Sequence, residues 1–326
     1  MSLRIMATSD VHLGMKFASY GDIQSELAEA RFTALASVVE EANNRDCNLL
    51  VVAGDLFHRV NVAASIVERA ATIIGQFEGE AAVVLPGNHD FMSPEGDRLW
   101  STFAEAAGDR TVPANTAGAV DLRPFDLPAV VMAAACDAMH GTHHRLSWME
   151  SYTPPEADVT LIGLAHGSID GITLDAEGRY FPMSQSHLAS LPPALWIVGH
   201  THRQHNLSRA RLVVPGTPEP DGFDFALPGQ AAFIMLGGES YTMEPVVTGQ
   251  LTFAEIDVEL DSGGDFGSQL RNAVPDGQAL VRLKLHGSLS AEEIQEVRET
   301  AEDLRAGLLY LRVREDDLHT RFTQQE

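Results

Sequence analysis

The run Leu49-Leu50-Val51-Val52-Ala53-Gly54-Asp55-Leu56-Phe57-His58 decides how the rest of the chain is read. Its five apolar residues turn β-branched toward the end and stop at glycine. That is the character of a strand covered on both faces, as in a parallel sheet between helices. A carboxylate just past such a strand lies at the sheet rim, where α/β folds build their sites. Taken alone, Asp55 reads first as a turn or helix-cap residue. Four further strand-like runs end in the same residue types. Ile5–Thr8 leads into Asp10-Val11-His12, and Ala82–Leu85 into Gly87-Asn88-His89-Asp90. Val159–Ala165 leads into His166-Gly167, and Leu195–Val198 into Gly199-His200-Thr201-His202. Five strand ends delivering Asp, His and Asn make a site, with Asp55 at its centre.

Around that strand the chain alternates. Residues 2–8 read as a strand and 9–21 as a glycine-containing loop. A helix capped by Asp22 follows, with Ile23, Leu27, Ala30, Ala34, Leu35, Val38 and Val39 near helical spacing. Helices are expected over 62–77 and 96–107, with the strand 82–85 between them. This β-α-β-α order predicts a sheet covered by helices. From about residue 110, short strands (130–133, 159–165, 195–198, 212–214, 231–236 and 241–247) separated by Pro and Gly turns predict a second sheet. The fold class expected is therefore α/β (α+β), a two-sheet sandwich flanked by helices. Residues 137–156, with His140, His143, His144 and Trp148, follow no strand end and read as a loop with a short helix.

A boundary near Thr248-Gly249-Gln250 divides the chain into domains 1–249 and 250–326. In the second, 251–260 and 279–286 alternate as strands and Asp261–Asp265 reads as a linker. Ser290-Ala291-Glu292-Glu293 is a capping box opening a helix with Ile294, Val297, Ala301 and Leu304 on one face. Leu308–Val313 is a last strand, and 320–326 a polar tail. The whole is a small α+β module.

Composition excludes little. A hydrophobic fraction of 44% and a charged fraction of 21% are ordinary for a globular chain. No apolar run reaches membrane-spanning length, and the N-terminus goes straight into a strand without a signal-peptide core. Cys47 and Cys136 sit in no spaced motif and read as buried thiols. The expected compartment is the cytoplasm, with no membrane partner. The net charge of −24, with Lys16 and Lys284 as the two lysines, lacks the basic excess usual in nucleic-acid binders. Metal ions at a carboxylate-rich site invert the local field, however.

Residues i and i+2 of an extended chain point the same way, so Asp10 with His12, and His200 with His202, can each serve one ion. Asp10, His12, Asp55, Asn88, His166, His200 and His202 form a mixed nitrogen and oxygen donor set. Such a set suits Mn, Fe or Zn better than Ca or Mg. Seven donors are too many for one tetrahedral ion and fit two ions sharing a carboxylate, the arrangement that clamps both oxygens of a phosphoryl displacement. His89 is expected to protonate the leaving oxygen, with Asp90 orienting it and favouring its imidazolium.

Asp10-x-His12, Gly54-Asp55-x-x-His58, Gly87-Asn88-His89-Asp90, His166-Gly167 and Gly199-His200-Thr201-His202 resemble, in order, the five motifs of calcineurin-like metallophosphoesterases. The resemblance implies the family's two-sheet sandwich. It also implies one metal on Asp10, His12, Asp55 and His202 and another on Asp55, Asn88, His166 and His200, with Mn²⁺ as activator. Asp10-Val11-His12-Leu13-Gly14 and Gly54-Asp55-Leu56-Phe57-His58 are similar to the double-strand-break-repair (SbcD-like) nuclease branch. The protein Ser/Thr phosphatases instead carry Asp-Arg-Gly where this chain has Phe57-His58-Arg59. Pro215-Gly216-Thr217-Pro218-Glu219 is similar to a segment of the same nucleases, and the C-terminal module is placed like their DNA-capping domain. That branch implies a DNA substrate hydrolysed at its ends, and His58 positioning the scissile phosphate. It also implies a homodimer through the helices at 62–77 and 96–107 and an SMC-like (SbcC-type) ATPase partner. The alternative reading is a binuclear phosphodiesterase for a small nucleotide or other soluble ester.

Overall fold

The computed structural model describes residues 2–93, 97–154, 156, 158–224, 227–238, 240–275 and 277–321. In chain order its elements are β1 (Leu3–Thr8), α1 (Gln24–Asn44), β2 (Leu49–Ala53), α2 (Ala64–Ile74), β3 (Ala81–Leu85), α3 (Asp97–Ala107) and β4 (Thr111–Pro113). Then come β5 (Gly118–Asp121), β6 (Ala129–Ala134), β7 (Thr160–His166), α4 (Gln185–Ser190), β8 (Leu195–Gly199), β9 (His205–Leu207) and β10 (Leu212–Val214). The last are β11 (Gln230–Gly237), β12 (Ser240–Val247), β13 (Thr252–Leu260), α5 (Phe266–Ala273), β14 (Ala279–Leu289), α6 (Ala291–Arg305) and β15 (Tyr310–Thr320).

The chain forms two compact units. The first takes Met1–Phe17, Leu27–Glu219 and Gly229–Gly249. It contains two six-stranded sheets, ordered β12-β11-β1-β2-β3-β4 and β5-β6-β7-β8-β10-β9. β1 to β4 run parallel, and β1 also pairs antiparallel with β11 from Leu3 opposite Leu236 to Ala7 opposite Ala232. Every residue of β2, β3 and β6 is buried. One face of each sheet meets the other through Ile5, Val51, Val83, Val131, Ile162 and Ile197. α1, α2 and α3 cover the outer face of the first sheet, with Leu35, Val67, Trp100 and Phe103 against Met6, Leu50 and Val84. The expected sandwich with flanking helices is what forms.

Several boundaries differ from the sequence reading. A 3₁₀ turn over Ala18–Ile23, kinked at Gly21, displaces the start of α1 to Gln24, so Asp22 does not cap it. β4, β5 and β9 are three or four residues long, too short to show a periodicity. Gly96, expected to open α3, and residues 322–326 of the expected tail lie outside the described residues; Thr320 belongs to β15.

The second unit takes Ala18–Glu26, Pro220–Pro228 and Gln250–Glu326. Its sheet is parallel, ordered β13-β14-β15, with α5 and α6 as crossovers. Phe266, Leu270, Ile294 and Val297 from those helices pack on Val258, Val281, Leu283 and Leu311. The stretch read as a linker runs into α5, which Asp265 caps by accepting from Ser268 N at 2.9 Å. No described helix is long and apolar enough to cross a membrane.

Candidate metal centre

The site is built in the first unit by the turns after β1, β2, β3, β7 and β8. The segment after β1 does not stay extended. Asp10 and His12 have φ of 56° and 49°, and Asp55 and His200 have 53° and 92°. For non-glycine residues such backbone costs on the order of 1–3 kcal/mol each and persists where its surroundings enforce it. Here two turns hold each other: Asp10 N donates to Gly54 O at 3.0 Å, His12 N to Asp55 O at 2.9 Å and Leu13 N to Leu56 O at 2.9 Å. Asp10 and His12 thus converge through a left-handed turn and not by the i, i+2 alternation of a strand. Glycine is required beside them. A Cβ on Gly54 (φ 91°) would lie 2.1 Å from His166 Nδ1, and one on Gly87 2.2 Å from Asp55 Oδ1.

All seven candidate ligands meet. Ligand atoms of Asp10, His12 and His202 lie within 4.8 Å of one another, and so do those of Asp10, Asp55 and His166. Asp55 Oδ2 is 3.8 Å from His12 Nε2 and 3.3 Å from His166 Nε2. Asn88 Oδ1 is 3.0 Å from His166 Nε2 and 3.2 Å from His200 Nδ1. His202 Nε2 is 3.8 Å from Asp10 Oδ1. Asp55 therefore stands between a His12 side and a His166–Asn88–His200 side.

His58 and His89 join the His12 side. Their rings stack at 5.3 Å and 26°, and each is edge-on to His12, at 5.5 and 4.8 Å. Asp90 does not orient His89, contrary to the sequence expectation. Its two oxygens accept from Gly87 N at 2.7 Å and Phe57 N at 2.9 Å, so it ties the third turn to the second. His89 Nδ1 instead lies 3.1 Å from His58 O. A carbonyl can only accept, so Nδ1 carries a proton there.

The electrostatics follow from burial. Asp10 is raised by desolvation, against the pull of His202 and His166. Asp90 is pushed up to about 8 by desolvation and by the charge of Asp55, despite its two backbone donors. Burial also opposes the charges of Asp55 and His166, but each outweighs it for the other: Asp55 is lowered, and His166 is raised to about 9. His12 is held well below its ordinary value by burial, and burial takes His58 to about 4 and His200 to about 3. The site thus resists keeping all its carboxylates ionised without added positive charge.

Some neighbours carry no mark in the sequence. Arg31, buried in α1, donates to Val11 O at 2.7 Å, and Thr217 Oγ1 donates to Asp10 O at 2.9 Å, so both fix the first turn. His144, expected in a loop, has Nε2 3.1 Å from His166 O. Tyr180 lies over His200 with ring centres 5.0 Å apart, and His140 sits on Tyr180. Among the described residues, His140, His143 and His144 enter none of the ligand clusters. The adjacent His143-His144 pair is the one signal for His144; nothing local marks Arg31 or Tyr180.

The family model for calcineurin-like phosphoesterase matches residues 3–204, well over half of the chain. The chain belongs to the calcineurin-like phosphoesterases. It is a metal-dependent phosphoesterase of that family, and its Asp, His and Asn cluster fits a binuclear divalent centre. Similar solved structures include the protein TT1561 of Thermus thermophilus, at 15% identity over 75% of this chain and 99% of that one, with a TM-score of 0.49. The calcineurin-like phosphoesterase YfkN of Bacillus subtilis is 15% identical over 76% and 91% of the two chains, with a TM-score of 0.42. A dimetal phosphatase of Danio rerio is 13% identical over 76% and 96%, with a TM-score of 0.41.

The residues present suit this phosphoesterase's cations. His12 turns Nε2 toward Asp55 Oδ2, and burial keeps its imidazole neutral, the form that ligates a cation. The mixed nitrogen and oxygen set favours a transition metal or zinc over calcium. Added cationic charge would also hold Asp10 ionised against its desolvation.

Proposed function

We propose that the protein is a Mn²⁺-dependent nuclease acting at DNA ends, an exonuclease with single-strand endonuclease activity, of the SbcD-like repair branch. The observation carrying this reading is the placement of His58. The second motif, Gly54-Asp55-x-x-His58, delivers it beside His12 and stacked on His89, giving three imidazoles on one side of Asp55. In this reading Asp10, His12, Asp55 and His202 would hold one ion, and Asp55, Asn88, His166 and His200 the other. Two such ions, when bound, supply a hydroxide near neutral pH and offset phosphoryl charge. The chain's own groups do the rest. His89 Nδ1 keeps its proton on His58 O, so Nε2 is the atom that protonates the leaving 3′- or 5′-oxygen. His58, kept neutral by burial and with Nδ1 bare of partners among the described residues, carries its proton on Nε2 and donates to a non-bridging phosphate oxygen. Water attacks phosphorus in line, with no covalent enzyme intermediate. The same reading brings a cytoplasmic setting, an SMC-like ATPase partner and a homodimer through α2 and α3; a monomer in sedimentation would remove the dimer.

The second reading is a phosphodiesterase for a soluble ester. The excess of 46 acidic over 22 basic residues favours it. Hydrolysis of end-labelled duplex DNA by the Mn²⁺-loaded protein, beside cyclic dinucleotides and bis-p-nitrophenyl phosphate, separates the two. The nuclease reading expects the DNA to be degraded and His89→Ala to lose about 10²–10⁴-fold. Turnover of the small esters alone would overturn it, and full activity in His89→Ala would overturn the acid assignment.

A further inference from the structure

We infer that the open face of the second unit's sheet carries a phosphate-binding pocket formed by Arg282, Arg312 and Arg314. The helices α5 and α6 cover one face of this sheet through Val258, Val281, Leu283 and Leu311. Strand alternation sends Glu255, Arg282, Lys284, Arg312 and Arg314 to the other face. Arg282 and Arg312 are direct register partners on β14 and β15, and Lys284 and Arg314 are the next pair. Like charges directly opposite each other destabilise a sheet. In a chain where acidic residues outnumber basic ones 46 to 22, carboxylate partners are not scarce, yet four cations are stacked in two adjoining rows.

Carboxylates of β13 face the β14 end of the group, with Glu255 opposite Arg282 and Asp257 opposite Lys284 in register. Lys284 takes Glu255, and His286 takes Asp257. Among the described residues, the carboxylate paired with Arg314 is Asp316, at 3.8 Å, with both side chains in water. The guanidinium of Arg282 lies over the ring of Phe223, 4.0 Å from its centre, a cation–π contact that helps hold it in place. Between Arg282, Arg312 and Arg314 is a cavity of about 170 Å³ lined by these three residues. Planar N–H forks around a small cavity match the oxygens of a phosphate group, which they bind two at a time.

One sheet row away, Tyr310 meets Tyr20 edge-on at 5.3 Å, and Phe253 meets Phe223 at 5.2 Å. Arginines bordered by aromatic rings are the surface on which a single strand lays its backbone and stacks its bases. The chemistry shared by all sources is a phosphate oxyanion, from a nucleic-acid strand or from a small polyphosphate. The strand source rests on the nuclease reading; the pocket itself does not. Its residues belong to the second unit and the metal ligands to the first, so binding by the one and hydrolysis by the other fail separately.

The test measures binding of the full chain, metal removed with EDTA, to a fluorescent single-stranded oligonucleotide and to inorganic triphosphate. The variants are R312A, R314A, R312A/R314A and the charge-keeping R312K/R314K. The double alanine variant is expected to weaken whichever probe is the ligand at least tenfold, and to flatten the salt dependence by about one unit for each phosphate no longer held. R312K/R314K, which keeps charge but loses the fork, is expected to fall between. Loss for the oligonucleotide alone identifies a strand, and loss for triphosphate a small polyphosphate; both support the pocket. Hydrolysis of bis-p-nitrophenyl phosphate is expected to stay within twofold in every variant. Unchanged affinity for both probes in folded R312A/R314A, or no affinity in the unaltered chain, would overturn the inference.

Discussion

Gly87→Ala puts one methyl group where the turn after β3 touches Asp55. Gly87 is not among the positive-φ glycines, so its backbone accepts alanine and the perturbation is the Cβ alone. That Cβ would lie 2.2 Å from Asp55 Oδ1, 2.5 Å from Asp55 N and 2.8 Å from Asp55 Cγ. Comfortable heavy-atom separations are about 3.5–4 Å, so the two turns must part by roughly 1 Å. Asp55 Oδ1 also accepts from His89 N at 2.8 Å, and Gly87 N donates to Asp90, so the displacement reaches the proposed acid as well. A misplacement of about 1 Å at reacting groups lowers the rate about 10²-fold, or about 2.7 kcal/mol of barrier. Overpacking of this kind costs about 1–3 kcal/mol of stability, which a domain of this size tolerates. The assay is kcat and kcat/KM on bis-p-nitrophenyl phosphate with saturating Mn²⁺, with a thermal melt alongside. Gly118→Ala serves as control, because the nearest atom to its Cβ, Thr116 Oγ1, is 3.9 Å away. A folded Gly87→Ala protein retaining more than a third of the activity would refute the close-approach argument.

Asp55→Ala is expected to lower the bound metal from two ions per chain to at most one, read by calorimetry or elemental analysis; two retained ions would remove its bridging role. In the second unit, Ser290→Ala breaks the capping box in which Ser290 Oγ accepts from Glu293 N and Glu293 accepts from Ser290 N, and should cost about 1 kcal/mol in urea unfolding. Backbone donors at Ser290 and Gly263 and the Ser262 hydroxyl hold Glu293 down at about 2, from an ordinary 4.5. Its contribution is therefore whole above pH 4.5 and fades as the pH falls toward 2, so the stability gap to Glu293→Gln should close over that window; a constant gap would contradict it. Burial pushes the Cys47 thiol up to about 12 and holds the Cys136 thiol well above its ordinary value, so a thiol reagent should label neither in the native protein and both in denaturant.

What is legible in the sequence is what repeats at short range. Five apolar runs, each closed by Asp, His or Asn, suffice to place seven residues that the fold links around Asp55, five in overlapping ligand groups and Asn88 and His200 through contacts to His166 and to each other. What stays hidden depends on pairing between distant segments. The left-handed turn at Asp10 and His12 exists because Gly54, Asp55 and Leu56 offer their carbonyls to it, and no local pattern encodes that. Asp90 misleads because its adjacency to His89 suggests a partner, while its oxygens turn to the amides of Phe57 and Gly87. The second unit borrows Ala18–Glu26 and Pro220–Pro228, stretches without a periodicity of their own, so a boundary drawn along the sequence could not include them.

The place of β1 in its sheet has a consequence for how the protein is made. It sits between β2 and β11, and its antiparallel edge is closed only by residues 232–236. A ribosome adding about 5–20 residues per second needs roughly 10–50 s to travel from Thr8 to Gly237. Throughout that interval the growing chain shows an apolar strand edge at Leu3–Thr8, open to pairing with the wrong neighbour. A strand edge that waits this long for its partner is where mispairing of the growing chain is expected to start.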